Sequence, residues 1–459
     1  MTTLSPVFER FIKSSPITVM AGGVAARMLQ PEQLDEWFEG TTHGQYTREL
    51  LFSTTFDIMS QVVCNIRPSV NAAYQAMEEE IPTSITSVYN KLQGVEVETS
   101  SGLVRYAAGE AEAIIEQLGG TCPPLLPGLR MKILDGNCID ASEHRIKELR
   151  SIKAGALPGK SLVVLDPALR LPIDVFPCED GHAQERSLLN SVLESVEPED
   201  CWMGDRNFCI TGFLHGIADR GASFIIRRHG MLSYRSVGRM TRVGQSETGT
   251  VYEQYIEVTG KSGETKKFRL VKVVLTKPTR DGDPEIYIIT NVGKRKADGK
   301  KIAELYRQRW TIETAFQNLT EHLNSEINTL GYPKAALFGF CVALVVYMMH
   351  AVLKAALSAV HGSEIVDATV SGYYVADEIS TIYGGMIIAI TPEEWRVFGY
   401  MTRAQFVKTM VRLAKSVNLQ RFRKHPRGPK KKQPKRKRDP KHTHVSTARL
   451  IAKRNTKNK

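Results

Sequence analysis

Apolar positions recur at helical spacing between residues 306 and 323. In YRQRWTIETAFQNLT and the residues just after it, Ile312, Phe316, Leu319 and Leu323 follow at steps of four, three and four. That is the period of a helix burying one stripe. A second stripe of Tyr306, Arg309, Glu313, Gln317 and Thr320 runs beside it, so Glu313 should sit at the edge of the buried face. An Arg and a Glu four apart form an ordinary surface pair of about 0.2–0.5 kcal/mol. This helix alone therefore leaves Glu313 two roles, salt-bridge partner or chemical group.

The same patterning divides the rest of the chain. Residues 1–128 read as a helical N-terminal domain. Within it NAAYQAMEEEIPTSITSVYNKLQG predicts two helices joined at Pro82, the second capped by Thr83 or Ser84. Such a pair is a candidate DNA-binding helix-turn-helix with Ser87, Asn90 and Lys91 facing a groove, and equally a common feature of any helical bundle. From 129 short apolar runs take over, at PGLRMKILDGNCI, Leu162–Leu165 and Leu171–Phe176. An amphipathic helix, the run CWMG before Asp205, a second helix and ASFIIRRH follow. The predicted order is strand, strand, strand, helix, strand, helix, strand, spread over a core of 129–360. Residues 229–297 alternate in strand fashion between the turn signals KSGET and KPTRDGD, so a β-rich insertion interrupts that core. Residues 335–353 carry no formal charge and are long enough to span a bilayer. Gly339, Tyr347 and His350 dilute the run and no second one exists, which favours a buried core helix and no membrane. Residues 361–420 read as a helical C-terminal region.

Charge adds a partner. The net charge is +12, yet residues 421–459 hold 17 Lys and Arg against one Asp, leaving the other 420 residues mildly acidic at −4. PRGPKKKQPKRKRDPKH is too polar and proline-rich to fold alone, so 421–459 is expected to be a disordered basic tail. Its natural partner is a polyanion, held by phosphate contacts and counterion release. Composition otherwise fits a soluble globular protein of several domains. Seven cysteines without zinc spacing, and an N-terminus without a secretory h-region, point to a reducing cytoplasm.

Three acids are placed for chemistry. Asp135 is expected at the end of the first strand, Asp205 at the end of the fourth, and Glu313 on the helix after the insertion. Strands one and four of a mixed sheet can be neighbours, and functional groups gather at strand ends. Three carboxylates suit hard divalent cations, which bind oxygen ligands together with substrate phosphates. Arg206 and Arg309 could hold DNA phosphates around such a site. Asp140, Asp166 and Asp174 also follow apolar runs and are the rival acids.

These residues resemble the DDE transposases of bacterial insertion sequences, in the insertion-sequence-four branch. That branch carries a Y-x-x-R-x-x-x-E signature with a Lys seven residues after the Glu. Tyr306, Arg309 and Glu313 fit it, ILDG and GDRNF resemble its two Asp motifs, and a β-strand insertion separates the second Asp from the Glu. The resemblance covers about 130–355. One position departs, since the expected Lys is Thr320; Lys334 or the tail would have to substitute. The resemblance implies a ribonuclease-H-like α/β core in which Asp135, Asp205 and Glu313 bind Mg²⁺ (or Mn²⁺), with Tyr306 and Arg309 positioning phosphates. It also implies double-stranded DNA as partner, at element ends and target, a homodimer on DNA, and a bacterial cytoplasmic, nucleoid-associated location. The implied reaction is cleavage to free a 3′-OH that attacks target DNA. The alternatives are an inactive DNA-binding descendant, a nuclease of the same core without strand transfer, and an RNA-binding protein led by its tail.

Overall fold

The computed structural model describes residues 4–45, 49–140, 142–279, 282–425 and 444–457. Strand β1 (Arg130–Cys138) buries Met131, Lys132, Ile133 and Leu134 in succession. A strand covered on both faces reads this way, without alternation. β2 (Lys160–Asp166) and β3 (Leu171–Cys178) fold back antiparallel beside it. β4 (Asp200–Gly204) and β5 (Ser223–Arg227) then run parallel to β1, and each is reached through a helix, Leu189–Glu194 and Thr211–Asp219. A parallel neighbour cannot be reached by a tight turn, so these crossovers are obligatory.

Four more strands follow: β6 (Arg235–Ser246), β7 (Gly249–Thr259), β8 (Thr265–Leu275) and β9 (Glu285–Thr290). The sheet order is β3-β2-β1-β4-β5-β9-β8-β7-β6. The expected insertion is therefore no separate unit. β9 pairs with β5 on one side and β8 on the other, so the inserted strands continue the central sheet. At the join, buried Arg269 of β8 pairs with Glu253 of β7 at 2.7 Å and donates to the carbonyls of Val292 and Ala297 at 2.6 and 2.8 Å. These bonds fasten the segment leading into the next helices.

The helices that matter here are α1 (Val97–Gln117), α2 (Gly299–Arg307), α3 (Trp310–His322) and α4 (Pro333–His361). Among the described residues α4 alone is long and apolar enough to cross a membrane, and 83% of its most apolar window is buried inside the protein. A helix apolar on all sides belongs in a core. α4 packs against α1, β3 and the helices Phe52–Val63 and Arg403–Lys415. The N-terminal helices share that core: Phe52 and Phe338 lie 5.7 Å apart in one cluster with Met59 and Leu103.

Two expectations change. In the candidate helix-turn-helix, Ser84 caps the second helix as expected, but Lys91 lies over the ring of Phe38 at 4.8 Å and is not turned to a groove. In the tail, residues 426–443 lie outside the described residues, while the stretch after them is ordered. Val445–Ser446 pairs in parallel with Ala156–Leu157, and Thr447–Lys457 is a helix. Val445, Leu450 and Ile451 pack on Ile146 and Leu149, and Arg449 meets Asp180 at 2.7 Å. Charge averaged over the whole tail hides these three apolar residues.

Phe338→Ala should cost about 3–5 kcal/mol, because a fully buried aromatic ring leaves a cavity that a helix packed on several sides cannot close. A urea titration reads this as a lower midpoint at unchanged slope; an unmoved midpoint would contradict α4 as the centre of the core.

Candidate functional site

Register brings two acids level. β1 and β4 pair in parallel through Ile133 and Met203; two residues further along the chain from each stand Asp135, still in β1, and Asp205, just past β4. Parallel neighbours are about 4.8 Å apart, so the pairing itself delivers both carboxylates to one edge. Asp135 is not at the strand end, as expected, but inside β1, paired with Val163 of β2. It lies past the last residue of β1 paired with β4, which is what frees its side chain on that flank. Asp205 follows β4 directly and accepts from the Asn207 N–H at 2.7 Å. It caps a short 3₁₀ turn, while Arg206 is exposed.

Glu313 arrives from the other side. The expected continuous helix breaks at Gln308–Arg309 into α2 and α3. Amides 308, 309, 311 and 312 each donate to the carbonyl three residues back, a tightened turn between the two. Tyr306 therefore lies in the last turn of α2, while Arg309 is the N-cap of α3. Arg309 joins the acids: Nη1 reaches Asp135 Oδ2 at 3.2 Å and Nη2 reaches Glu313 Oε1 at 2.6 Å. Its guanidinium lies 5.4 Å from the exposed ring of Trp310, and its buried Nε has no hydrogen-bond partner. Tyr306 is buried against this group, and burial pushes its phenol up to about 12 against the pull of Arg309 and Arg227.

Electrostatics mark Asp135 most strongly. Burial pushes its carboxyl up to about 6; Arg309 and the Gly136 N–H oppose this, while Asp205 and Glu313 add to it. That each acid is felt at Asp135 is the signature of three converging carboxylates. Two of the three rivals are otherwise engaged, and Asp140 lies exposed beyond the end of β1. Asp166 pairs with Arg130 at 2.8 Å and accepts from Ala168 and Leu169 in the β2–β3 turn, and Asp174 pairs with Arg105 at 2.9 Å. Lys334 lies half-buried in the first turn of α4, on an element apart from the acids.

A fourth carboxylate escaped the sequence reading. Glu185 lies so close over Gly136 that a Cβ there would meet its Oε1 at 2.2 Å, and it accepts from Asn207 Nδ2 at 3.4 Å. A side chain beside Asp135 would therefore displace the Glu185 carboxylate. Glu185 belongs to a short 3₁₀ turn, and nothing in its local pattern announces a site.

The donor set suits a hard divalent cation, since positive charge would relieve the repulsion that Asp205 and Glu313 exert on Asp135. The cage is not closed: among the described residues no three acidic, His or Cys side chains are arranged to hold an ion. The Arg309 guanidinium stands between Asp135 and Glu313 instead.

Residues 132–349 match the family described as Transposase DDE domain. A Sinorhizobium fredii protein named "Putative transposase y4zB" is 27% identical over 165 residues, which are 36% of this chain. The match spans 44% of that relative's length. Among solved structures, the cryo-EM structure of the piggyBac transposase synaptic complex with hairpin DNA aligns at a TM-score of 0.36 and 8% identity, covering 86% of this chain and 85% of that one.

Asp135→Asn should stabilise the metal-free protein at neutral pH. A carboxyl whose folded pKa lies near 6, above the ordinary aspartate value of 3.8, contributes most below about pH 4 and loses that contribution as pH rises through 6. The neutral amide escapes this loss, a gain on the order of 1–3 kcal/mol at pH 7.5 that vanishes at pH 4. Denaturant titrations in EDTA at the two pH values check it; equal stability at both would show that Asp135 is not destabilised by burial.

Proposed function

We propose that this protein is a DNA transposase, a reading supported by the match of residues 132–349 to the family described as Transposase DDE domain. In this reading the sheet β3-β2-β1-β4-β5 is a ribonuclease-H-like catalytic core, and Asp135, Asp205 and Glu313 are the acids that hold Mg²⁺ or Mn²⁺. One observation carries it: register sets Asp135 level with Asp205, and Arg309 bridges Asp135 to Glu313. A bound divalent ion supplies charge neutralisation and an activated water at the scissile phosphate.

The chain's own residues do the positioning. Arg309, already aimed at Asp135 and Glu313, would also attract a phosphate oxygen entering the site. Tyr306, protonated far above neutral pH, donates from its hydroxyl and does not act as a base. Arg206 is exposed beside Asp205, where it would meet the DNA backbone, and Lys334 would contribute from the start of α4. The reaction is cleavage at element ends to free a 3′-OH, followed by attack of that hydroxyl on target DNA. Two copies of the chain would hold two ends, in the bacterial cytoplasm on the nucleoid.

A second reading has an observation behind it. Thr320 lies two turns from Glu313 on the same face, exposed, with Oγ1 turned back to the carbonyls of Phe316 and Gln317. Without a cation there and with Arg309 closing the acids, the protein would be a DNA-binding descendant that no longer cuts.

Glu313→Gln separates the two. With Mg²⁺ and DNA bearing the element's ends, the wild type should nick at the boundary. The variant should lose orders of magnitude in rate, because a missing metal ligand costs several kcal/mol of transition-state stabilisation. Binding without nicks by the wild type would support the descendant, and equal cutting by both would return Glu313 to its ion pair. Thr320→Lys should steepen the salt dependence of DNA binding by about one phosphate contact, read as the slope of log K against log salt. An unchanged slope would place position 320 away from the DNA.

A further inference from the structure

A cavity lies apart from the carboxylates. It encloses about 990 Å³ and lies against α3, where Thr314, Gln317, Asn318 and Glu321 line it. At 100° per residue these side chains centre about a quarter turn from Glu313. The cavity is thus a neighbour of the acid site on the same helix, opening on another face. Its volume is at the upper end of ligand pockets, about 300–1,000 Å³.

Two walls have distinct chemistry. One is aromatic. His322 of α3 meets Tyr373 at 6.3 Å, Tyr373 meets Tyr374 at 5.5 Å, and Tyr374 meets His425 at 5.8 Å, all edge to face. Tyr373 and Tyr374 belong to α5 (Gly372–Ala389), and Tyr373 is 48% exposed, a large ring left unburied at a cavity. Gly372 permits the close approach, since a Cβ there would stand 2.8 Å from the His322 ring.

The other wall is cationic. Arg170, Lys354 and Lys424 line the cavity and converge on Asp367 just behind it. Arg170 forks onto both carboxylate oxygens at 2.7 and 2.8 Å, Lys354 Nζ reaches Oδ1 at 2.6 Å, and Lys424 Nζ donates to the Asp367 carbonyl at 2.6 Å. The Arg170 and Lys354 hydrogen bonds hold the Asp367 carboxyl down to about 2. Three cations against Asp367 and the cavity-lining Glu321 leave one positive charge in excess. Arg170 and Lys354 are each 42% exposed, so a second anion can reach them.

Aromatic rings facing a cationic rim are the combination that binds unpaired nucleic acid: bases stack, and phosphates take the charge. We propose that this cavity binds unpaired nucleotides, with a base against the Tyr373–His425 wall and its phosphate at Lys354, Lys424 and Arg170. The site stands whether or not the three acids cut DNA.

Glu313→Gln protein in EDTA serves as the background, so that no cleavage intrudes. The probe is an oligothymidine of about eight nucleotides carrying one 2-aminopurine, whose fluorescence falls when the base stacks. Quenching and binding are expected on this background. Tyr373→Ala should abolish the quenching and weaken binding roughly tenfold, the loss of about one stacked base. Tyr373→Phe should restore both. Lys354→Gln should lower the salt slope by about 0.7, one single-strand phosphate contact. Both residues are solvent-accessible, so the fold should survive either change. Competition by thymidine monophosphate would support the site with free nucleotide as its source, and its absence alongside the Tyr373→Ala loss would support a DNA strand. Quenching and affinity unchanged in both Tyr373→Ala and Lys354→Gln would overturn the proposal.

Discussion

The parallel pairing of β1 with β4 is the constraint on which the site depends. Hydrogen bonds from Arg130 opposite Asp200 to Ile133 opposite Met203 fix a register, and a slip of one residue would turn every side chain of a strand to the other face. Both flanks resist such a slip. Ile133 and Met203 are buried in one core cluster, Leu134 and Trp202 in the other. Buried Lys132 bonds Asp200 at 2.7 Å across the same pair of strands. Asp135 and Asp205 are thus set level by hydrophobic burial two residues earlier, where the chemistry does not reach.

Arg309 meets the cost of bringing carboxylates together. Burial and mutual repulsion both disfavour ionised Asp135, and a guanidinium with two nitrogens aimed at two different acids offsets part of that. The break between α2 and α3 is what lets it do so. In an uninterrupted helix Arg309 and Glu313 would form the ordinary surface pair suggested by their spacing. The tightened turn at Gln308 and Arg309 instead leaves the guanidinium spanning to β1.

Much of this was legible in the chain before any coordinates. The order of strands and helices from 129 to 228 follows from apolar runs and turn residues, and α4 from an unbroken apolar stretch bounded by lysines. Asp205 was readable because GDRNF combines a strand end with a turn. Asp135 lies further inside its strand than the DG dipeptide suggests, because β1 continues to Cys138. Glu185 and the Asp367 cluster were not legible. Each depends on a contact across the fold, Gly136 with Glu185 or Arg170 with Asp367, that leaves no local period. The ordered helix at Thr447–Lys457 was missed for the opposite reason, a few apolar residues diluted in a highly charged neighbourhood.

The continuity of the nine-stranded sheet has a consequence for dissecting the protein. β9 covers an edge of β5 that would otherwise present unpaired N–H and C=O groups to solvent. Excising 229–297 to isolate a minimal core would remove that cover and the Arg269 bonds to Val292 and Ala297. The trimmed core would keep its carboxylates and gain an open strand of Phe224, Ile225 and Ile226, a template for stacking one molecule edge-on against the next. The inserted strands therefore also act as a solubility device, guarding the monomer against polymerisation through its own sheet.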